Sequence, residues 1–498
     1  MKKAFALVFI LFCSMPLNAL ADTFNVSTVA QLEGALTAAG ANGTNDSILL
    51  AAGTYTVTGS LAYMPAASEN KSIVIRGAGA GSSILDFGGV TGGLAVYLAD
   101  LTDDSSAHVL VRGITFQHAI EGSFYGGLYV ETKLANVTVE GCEFRNNTSG
   151  YGGGAYFDTA GGTISIANCV FVDNTAQFGV GGGTLVDSGG GPIVLSNNIF
   201  SGNWAEEDGG GAYLYTLNDS ITVTNNSFAG NYTHDRGAGL FVWMAWEPGC
   251  AGYIYNTISR GNSGALYGGR DIYINDTKDD ITGYPVYLYN NDFSIFDTNC
   301  ESRLGCTPQI VAAGNIDADP LFLNAAADDL HLTDASPCRD AGTNSAPWLL
   351  AKDFEKDARI INGTVDIGAD EFALSIFPLA DIKANGSDGP LTVSSGTRIT
   401  VTVSLDAGAY GGDSADWWLL AETPKGPVRY DYATKSWVAG TAPSHQGQLA
   451  DLNPVQVLDT TNLPPGLYAI QFGVDLVMNG VFDSDQFHGD ILSLEVTD

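Results

Sequence analysis

Phe144-Arg-Asn-Asn147, Phe171-Val-Asp-Asn174, Phe200-Ser-Gly-Asn203 and Phe228-Ala-Gly-Asn231 carry the strongest signal in this sequence. With Phe116 ahead of them, the phenylalanines follow one another at intervals of 28, 27, 29 and 28 residues. A glycine cluster trails each tetrapeptide: Gly152 to Gly154, Gly181 to Gly183, Gly209 to Gly211, and Gly237-Ala-Gly239. Seven and five residues before each Phe stand apolar pairs, Val109 and Val111, Val137 and Val139, Ile164 and Ile166, Ile193 and Leu195, Ile221 and Val223. That alternation has the period of a strand.

A unit of about 28 residues with short strands and no helical pattern cannot bury its apolar side alone, so the copies must stack. Stacking sets equivalent residues ~4.8 Å apart, Phe on Phe inside and Asn on Asn at the turns. A propeller or a sandwich keeps no single register through five such units. The fold class is therefore all-β, a right-handed parallel β-helix followed by a small C-terminal β-sandwich-like domain. The register also stacks Cys142 on Cys169, two residues before successive Phe anchors, as buried neighbours within reach of each other.

Outward from this centre, Ile48-Leu-Leu-Ala-Ala-Gly-Thr-Tyr-Thr-Val57 and Ser72-Ile-Val-Ile-Arg-Gly-Ala-Gly79 read as earlier coils. Thr28 and Gln31 form a capping box for a helix that buries Val29, Leu32 and Leu36 and plugs the open end of the solenoid. At the N-terminus, Lys2 and Lys3 precede an apolar run from Ala4 to Phe12, and Ala19-Leu20-Ala21 offers small residues for cleavage. Residues 1–21 are thus expected to be a signal peptide, and the chain exported to the cell surface, the outer membrane or the medium. The run is shorter than the ~20 residues that span a bilayer. No later stretch reads as a transmembrane segment.

The 498 residues include 62 Gly, and 15% are charged; cleavage would take the net charge from −34 to −36. Such acidity excludes nucleic acid and anionic lipid as ready partners and leaves cations or neutral glycans. In an oxidising compartment Cys300 and Cys306, which bracket a short polar loop, are the expected disulfide.

The alternation of Phe-x-x-Asn with Gly-Gly-Ala-aliphatic over residues 108–275 resembles the repeats of polymorphic outer-membrane proteins. That resemblance implies a surface-exposed, adhesive β-helix, although no C-terminal barrel pattern follows. Asp319-Pro-Leu-Phe322, Leu330-His-Leu332, Ser336-Pro-Cys-Arg-Asp-Ala-Gly342 and Asp366-Ile-Gly-Ala-Asp-Glu371 resemble the choice-of-anchor Q segment, with Arg339, Lys356 and Asp370 in place of its usual aliphatic, Gly and Tyr. This resemblance implies a closing coil with no chemistry attached. The domains then run 1–21, 22–314 for the β-helix with its cap, 315–375 for the closing segment and 376–498 for the sandwich. Within the last, Trp417, Trp418 and Trp437 read as core. Asp475, Asn479, Gly480 and Asp483 partly echo a calcium loop, with Val477 and Gln486 at oxygen-rich positions.

Aligned on the glycine clusters, one outward column reads Tyr129, Tyr156, Leu185, Tyr213, Phe241 and the other Glu131, Asp158, Asp187, Tyr215, Trp243. Between them run Val130, Phe157, Val186, Leu214 and Val242, facing inward. Aromatic faces beside stacked carboxylates suit a glycan, whose rings offer apolar faces and hydroxyls. Tyr129, Glu131, Tyr156, Asp158, Asp187, Tyr213, Tyr215 and Trp243 are the candidate ligand-binding residues, calcium being one shared ligand the acids could take. The expectation is a non-catalytic, adhesive or glycan-contacting protein that needs no cofactor. Two alternatives stand beside it, a polysaccharide lyase or glycoside hydrolase on the acidic-aromatic groove and a spacer presenting the C-terminal domain. Adjacent coils set carboxylates ~5 Å apart and two steps ~9.6 Å apart, within or near glycosidase separations. The scarcity of Lys and Arg nearby disfavours a lyase. His234 and His331 read as isolated surface or packing residues, and no residue is assigned a catalytic or metal-ligating role.

Overall fold

The computed structural model describes residues 22–66, 70–98, 103–122, 126–245, 250–264, 266–277, 282–300, 307–372, 377–484 and 486–498. The expected signal peptide and Cys306 lie outside the described residues. The described residues form two compact units, divided after Phe372.

The first unit is a right-handed parallel β-helix whose long faces are sheets of eleven, nine and nine parallel strands. In one coil, Ile164–Ala167 lies on the first face and Val170–Val172 on the second. Thr175–Ala176 then forms a short link and Thr184–Ser188 lies on the third face. The apolar pairs align as their spacing requires, Val137 on Ile164 on Ile193 on Ile221. Phe116, Phe144, Phe171, Phe200 and Phe228 make one stack, with ring centroids 5.1, 4.7, 4.7 and 4.5 Å apart and planes within 8° of parallel. All five rings are fully buried.

The Asn of each tetrapeptide is buried as well and builds a ladder. Asn147 donates through Nδ2 to the Phe116 carbonyl at 2.9 Å and to Asn174 Oδ1 at 3.0 Å. The Asn147 backbone N–H donates to that same oxygen. Asn174, Asn203 and Asn231 repeat the pattern toward Asn262. Each buried amide is thereby satisfied only by the coils on either side of it. A second ladder, absent from the sequence reading, runs from Asn198 to Asn226 and, further on, from Asn291 to Asn315.

At the N-terminal end the helix Val29–Ala39 begins at Thr28, whose side chain accepts the Gln31 N–H at 3.2 Å. Gln31 Oε1 accepts from the Ser27 N–H at 2.8 Å, one residue earlier than a standard capping box. Leu32 and Leu36 are buried and Val29 is half-buried against the core. Cys142 and Cys169 are buried free thiols whose sulfurs point at the Val111 and Val139 carbonyls.

The segment after Asn315 does not add a coil. It runs back along the outside of the solenoid as a strap, because it is keyed to a column of left-handed asparagines. Asn197, Asn225, Asn256 and Asn290 have φ of 57°, 54°, 49° and 53°, a conformation Asn tolerates better than other side chains. Their amides donate to the strap carbonyls of Lys352, Asp366 and Gly368, Thr343, and Ala341 respectively. Leu330 and Ala369 cover Ile199 and Ala229 on the outside of the second face, while Leu332, Cys338 and Ile367 cover Ile258. Arg359, 1% exposed, donates to the Ala369 and Gly368 carbonyls and to Asn197 Oδ1.

The second unit consists of a three-stranded and a seven-stranded sheet, paired mostly antiparallel around one apolar core. Trp418 is 2% exposed and meets Phe482 edge to face at 5.4 Å, while Trp437, packed on the apolar core, donates to the Val457 carbonyl at 3.0 Å. Trp417 is half-buried against that core. Among the described residues no helix is long and apolar enough to cross a membrane.

Replacing Phe171 by Ala should lower stability by ~3–5 kcal/mol in urea unfolding, the loss of one buried ring from a filled stack. Asn203→Ala should cost ~2–4 kcal/mol, because it strands the Phe171 carbonyl and both Asn174 donors. A change no larger than that at an exposed Thr would contradict the register. Cys142 and Cys169 should resist alkylation until the protein unfolds, which a thiol count with and without denaturant reads directly.

Candidate ligand-binding site

On the third face the strands place every candidate residue in the expected register. Tyr129 pairs with Tyr156, Tyr156 with Leu185, Leu185 with Tyr213, and Tyr213 with Phe241. Glu131, Asp158, Asp187, Tyr215 and Trp243 align beside them. The residues between, Val130, Phe157, Val186, Leu214 and Val242, are fully buried, as alternation along a strand demands.

The two outward columns differ in exposure, which corrects the picture of one open aromatic strip. Tyr129, Leu185 and Tyr213 are 7%, 6% and 7% exposed, and Phe241 is fully buried. Tyr129 lies between Tyr97 and Tyr156 of the adjacent coils, while loops between the link and the third face help to cover the rest. Tyr151 and Val180 lie against Leu185 and Tyr213. The Arg236 guanidinium sits 5.4 Å above the Phe241 ring and 5.3 Å above Tyr273. Asp208 holds Arg236 in place through two hydrogen bonds, at 3.1 and 2.9 Å. Tyr213, Phe241 and Tyr273 stack beneath it with centroids 4.8 and 5.3 Å apart. Sequence reading missed these covering residues, yet a signal was present. Asp208 directly precedes Gly209 and Arg236 directly precedes Gly237, the same register position one coil apart.

The accessible part is a cleft of about 410 Å³ lined by Tyr151, Tyr156, Val180, Leu185, Asp187, Tyr213, Tyr215 and Trp243. Glu131 and Asp158 continue the carboxylate column beyond its edge. Tyr215 and Trp243 meet edge to face at 5.3 Å, and Trp243 Nε1 donates to Thr277 at 3.2 Å. Among the described residues no Lys or Arg lines this cleft. A second hollow, about 580 Å³, lies further toward the N-terminus beside Tyr97 and Glu121.

The carboxylates are not equivalent. The Tyr129 hydroxyl donates to Glu131 at 2.9 Å, and Tyr156 is hydrogen-bonded to Asp158. One coil on, Leu185 replaces the tyrosine, so Asp187 gains no such donor. Burial, and then the charge of Asp158, push the Asp187 carboxyl up to about 6. Asp158 is raised by burial and by Glu131, against the lowering effect of Tyr156. Burial and the neighbouring carboxylates hold the Tyr129 and Tyr156 phenols well above their ordinary value.

The calcium-like loop of the second unit is self-satisfied. Asp416 Oδ2 accepts the Asn479 and Gly480 N–H groups, and its Oδ1 accepts from Gln446. Asp475 accepts the Val477 and Asp483 N–H groups, and Asn479 donates to Asp483. These carboxylates fasten a turn, with backbone donors where a cation would sit.

A pH prediction follows for Asp187. Its folded pKa of about 6 lies above the ordinary 3.8, so the folded state holds the proton more tightly than the unfolded chain. The resulting stability is present below pH 4 and is lost as pH rises through 6. Asp187→Asn, which stays neutral, should therefore match the wild type near pH 4. It should exceed it by ~1 kcal/mol at pH 7.5, after allowance for partial solvent screening. Equal stability of the two proteins at both pH values would show Asp187 to be an ordinary surface acid.

Compared with known families, residues 92–247 match the right handed beta helix region. No curated protein and no solved structure matches the chain. Proteins with this fold include surface proteins and polysaccharide-acting enzymes, and the matched stretch contains the coils that carry the cleft.

Proposed function

We propose that this chain is a non-catalytic, exported bacterial β-helix that binds a glycan along its third face. The observation that carries this reading is the cleft where Tyr156, Tyr215 and Trp243 surround Asp187. Aromatic rings offer stacking faces to the apolar side of a sugar, and a carboxyl accepts from or donates to its hydroxyls. The net charge of −34 and the carboxylate column favour a neutral glycan over a uronate-rich one. Export to the cell surface or the medium rests on the pattern from Lys2 to Ala21. The Phe-x-x-Asn/Gly-Gly-Ala repeats support an adhesive role of the kind found in polymorphic outer-membrane proteins, and the choice-of-anchor Q-like strap fits a surface protein.

Glycoside hydrolysis is the second reading, and the raised carboxyl of Asp187 beside Asp158 favours it over elimination. A carboxyl held above its ordinary range beside a second carboxyl is a pairing such enzymes use. A spacer role predicts instead that residues 377–498 alone bind whatever the full chain binds.

Glycan-array screening followed by titration separates these readings. Trp243→Ala and Tyr215→Ala should each weaken the identified glycan by about 5- to 30-fold without loss of the fold, since both side chains are partly exposed. Tyr213 reaches the cleft but is only 7% exposed, so its replacement should chiefly lower stability. Asp187→Asn should leave binding largely intact in a binder, and in a hydrolase should lower the rate by ~10² or more. Unchanged affinity in both aromatic variants would remove the cleft from the account.

A further inference from the structure

We propose that His331, Glu355 and Asp370 form a binding site for one divalent transition-metal ion of the zinc type, a clip that ties three stretches of the strap together. The three come from separate stretches of the strap: the strand Asp329–Leu332, the turn near Asp353, and the segment that docks on the second face. One ligand atom from each lies within 4.8 Å of the others, and His331 Nε2 stands 3.1 Å from Glu355 Oε2. Ligand atoms around a tetrahedral zinc ion are about 3.3 Å apart, given bonds of about 2.0–2.1 Å. Small side-chain rotations therefore close the set.

The surroundings point the same way. Asp329 Oδ1 contacts His331 Nδ1 at 2.5 Å, which turns the other ring nitrogen toward Glu355 and Asp370. A carboxylate on the far nitrogen of a ligating histidine is the usual support for a metal-bound imidazole. The Phe354 ring lies 5.4 Å from the imidazole and limits its rotation. Asp370 is 5% exposed and already fixed by accepting the Leu332 N–H at 2.8 Å, so one ligand is rigid and buried. The His331 and Glu355 side chains remain 36% and 45% exposed, which leaves an entry path. Three carboxyl groups, those of Asp329, Glu355 and Asp370, face a single imidazole, and a dication offsets that excess. An imidazole with two carboxylates selects the zinc class over calcium and magnesium, which take all-oxygen shells of six or more ligands.

Asp370 follows Gly368 and Ala369, whose N–H groups donate to the Asn256 carbonyl and to Ser227 Oγ on the solenoid. An ion at this point would join the strap's hairpin and its turn to its anchor on the second face.

The test uses the full chain, stripped with chelator and titrated with Zn²⁺ against a chromogenic competitor. One equivalent should bind tightly and raise the thermal unfolding temperature, and Ca²⁺ or Mg²⁺ at the same concentration should do neither. Glu355→Gln and His331→Gln should each lower zinc affinity at least tenfold while metal-free circular dichroism and melting stay those of the parent. Asp370→Asn, which keeps an acceptor for Leu332, should do the same. Failure to compete for Zn²⁺ would overturn the proposal. So would zinc binding unchanged in both surface variants, which would place the ion on His118 with Asp86 or on His234 with Glu206.

Discussion

The structure depends on one constraint: parallel strands of successive coils must hydrogen-bond in the same register, so like residues stack at the strand spacing. Everything else in the first unit follows from that repetition. Phenylalanines stack inside because a ring repeated at one spacing fills the interior without voids. Asparagines repeat at the turns because a primary amide can accept from one coil while donating to the other. Each buried amide from Asn147 to Asn231 is satisfied by its neighbours alone, so the coils stabilise one another and none would persist in isolation.

The same constraint produces the candidate site. An outward column is a line of residues from separate coils, and a single replacement changes the chemistry of its neighbour. Tyr156 accompanies Asp158, whereas Leu185 accompanies Asp187, whose carboxyl burial and the charge of Asp158 lift to about 6 with no tyrosine donor to oppose them. The covering loops then divide the face, with the Arg236–Asp208 pair sealing Phe241 and Tyr273. Trp243 and Tyr215 stay at the cleft.

The register and the inward residues were legible because the glycine clusters and Phe anchors mark every coil. Side-chain exposure on the third face was not, since Tyr213 is buried by the stacked Phe241 and by Tyr151 and Val180 of other coils. The strap was misread as a closing coil for a related reason. Its backbone carbonyls, which carry no sequence signature, do most of the docking on the left-handed asparagines, and only the recurrence of Asn197, Asn225, Asn256 and Asn290 hints at a partner. His331 looked isolated because Glu355 and Asp370 reach it across 24 and 39 positions of irregular chain, where no period brings them into view.

The central claim is that the stacked third face is the ligand surface. Hydrogen–deuterium exchange of the full chain with and without a glycan identified on an array tests it most directly. The account predicts added protection confined to peptides spanning residues 151–158, 180–188, 212–216 and 240–244. Protection confined to residues 377–498 would contradict it and leave the β-helix as a support for the second unit.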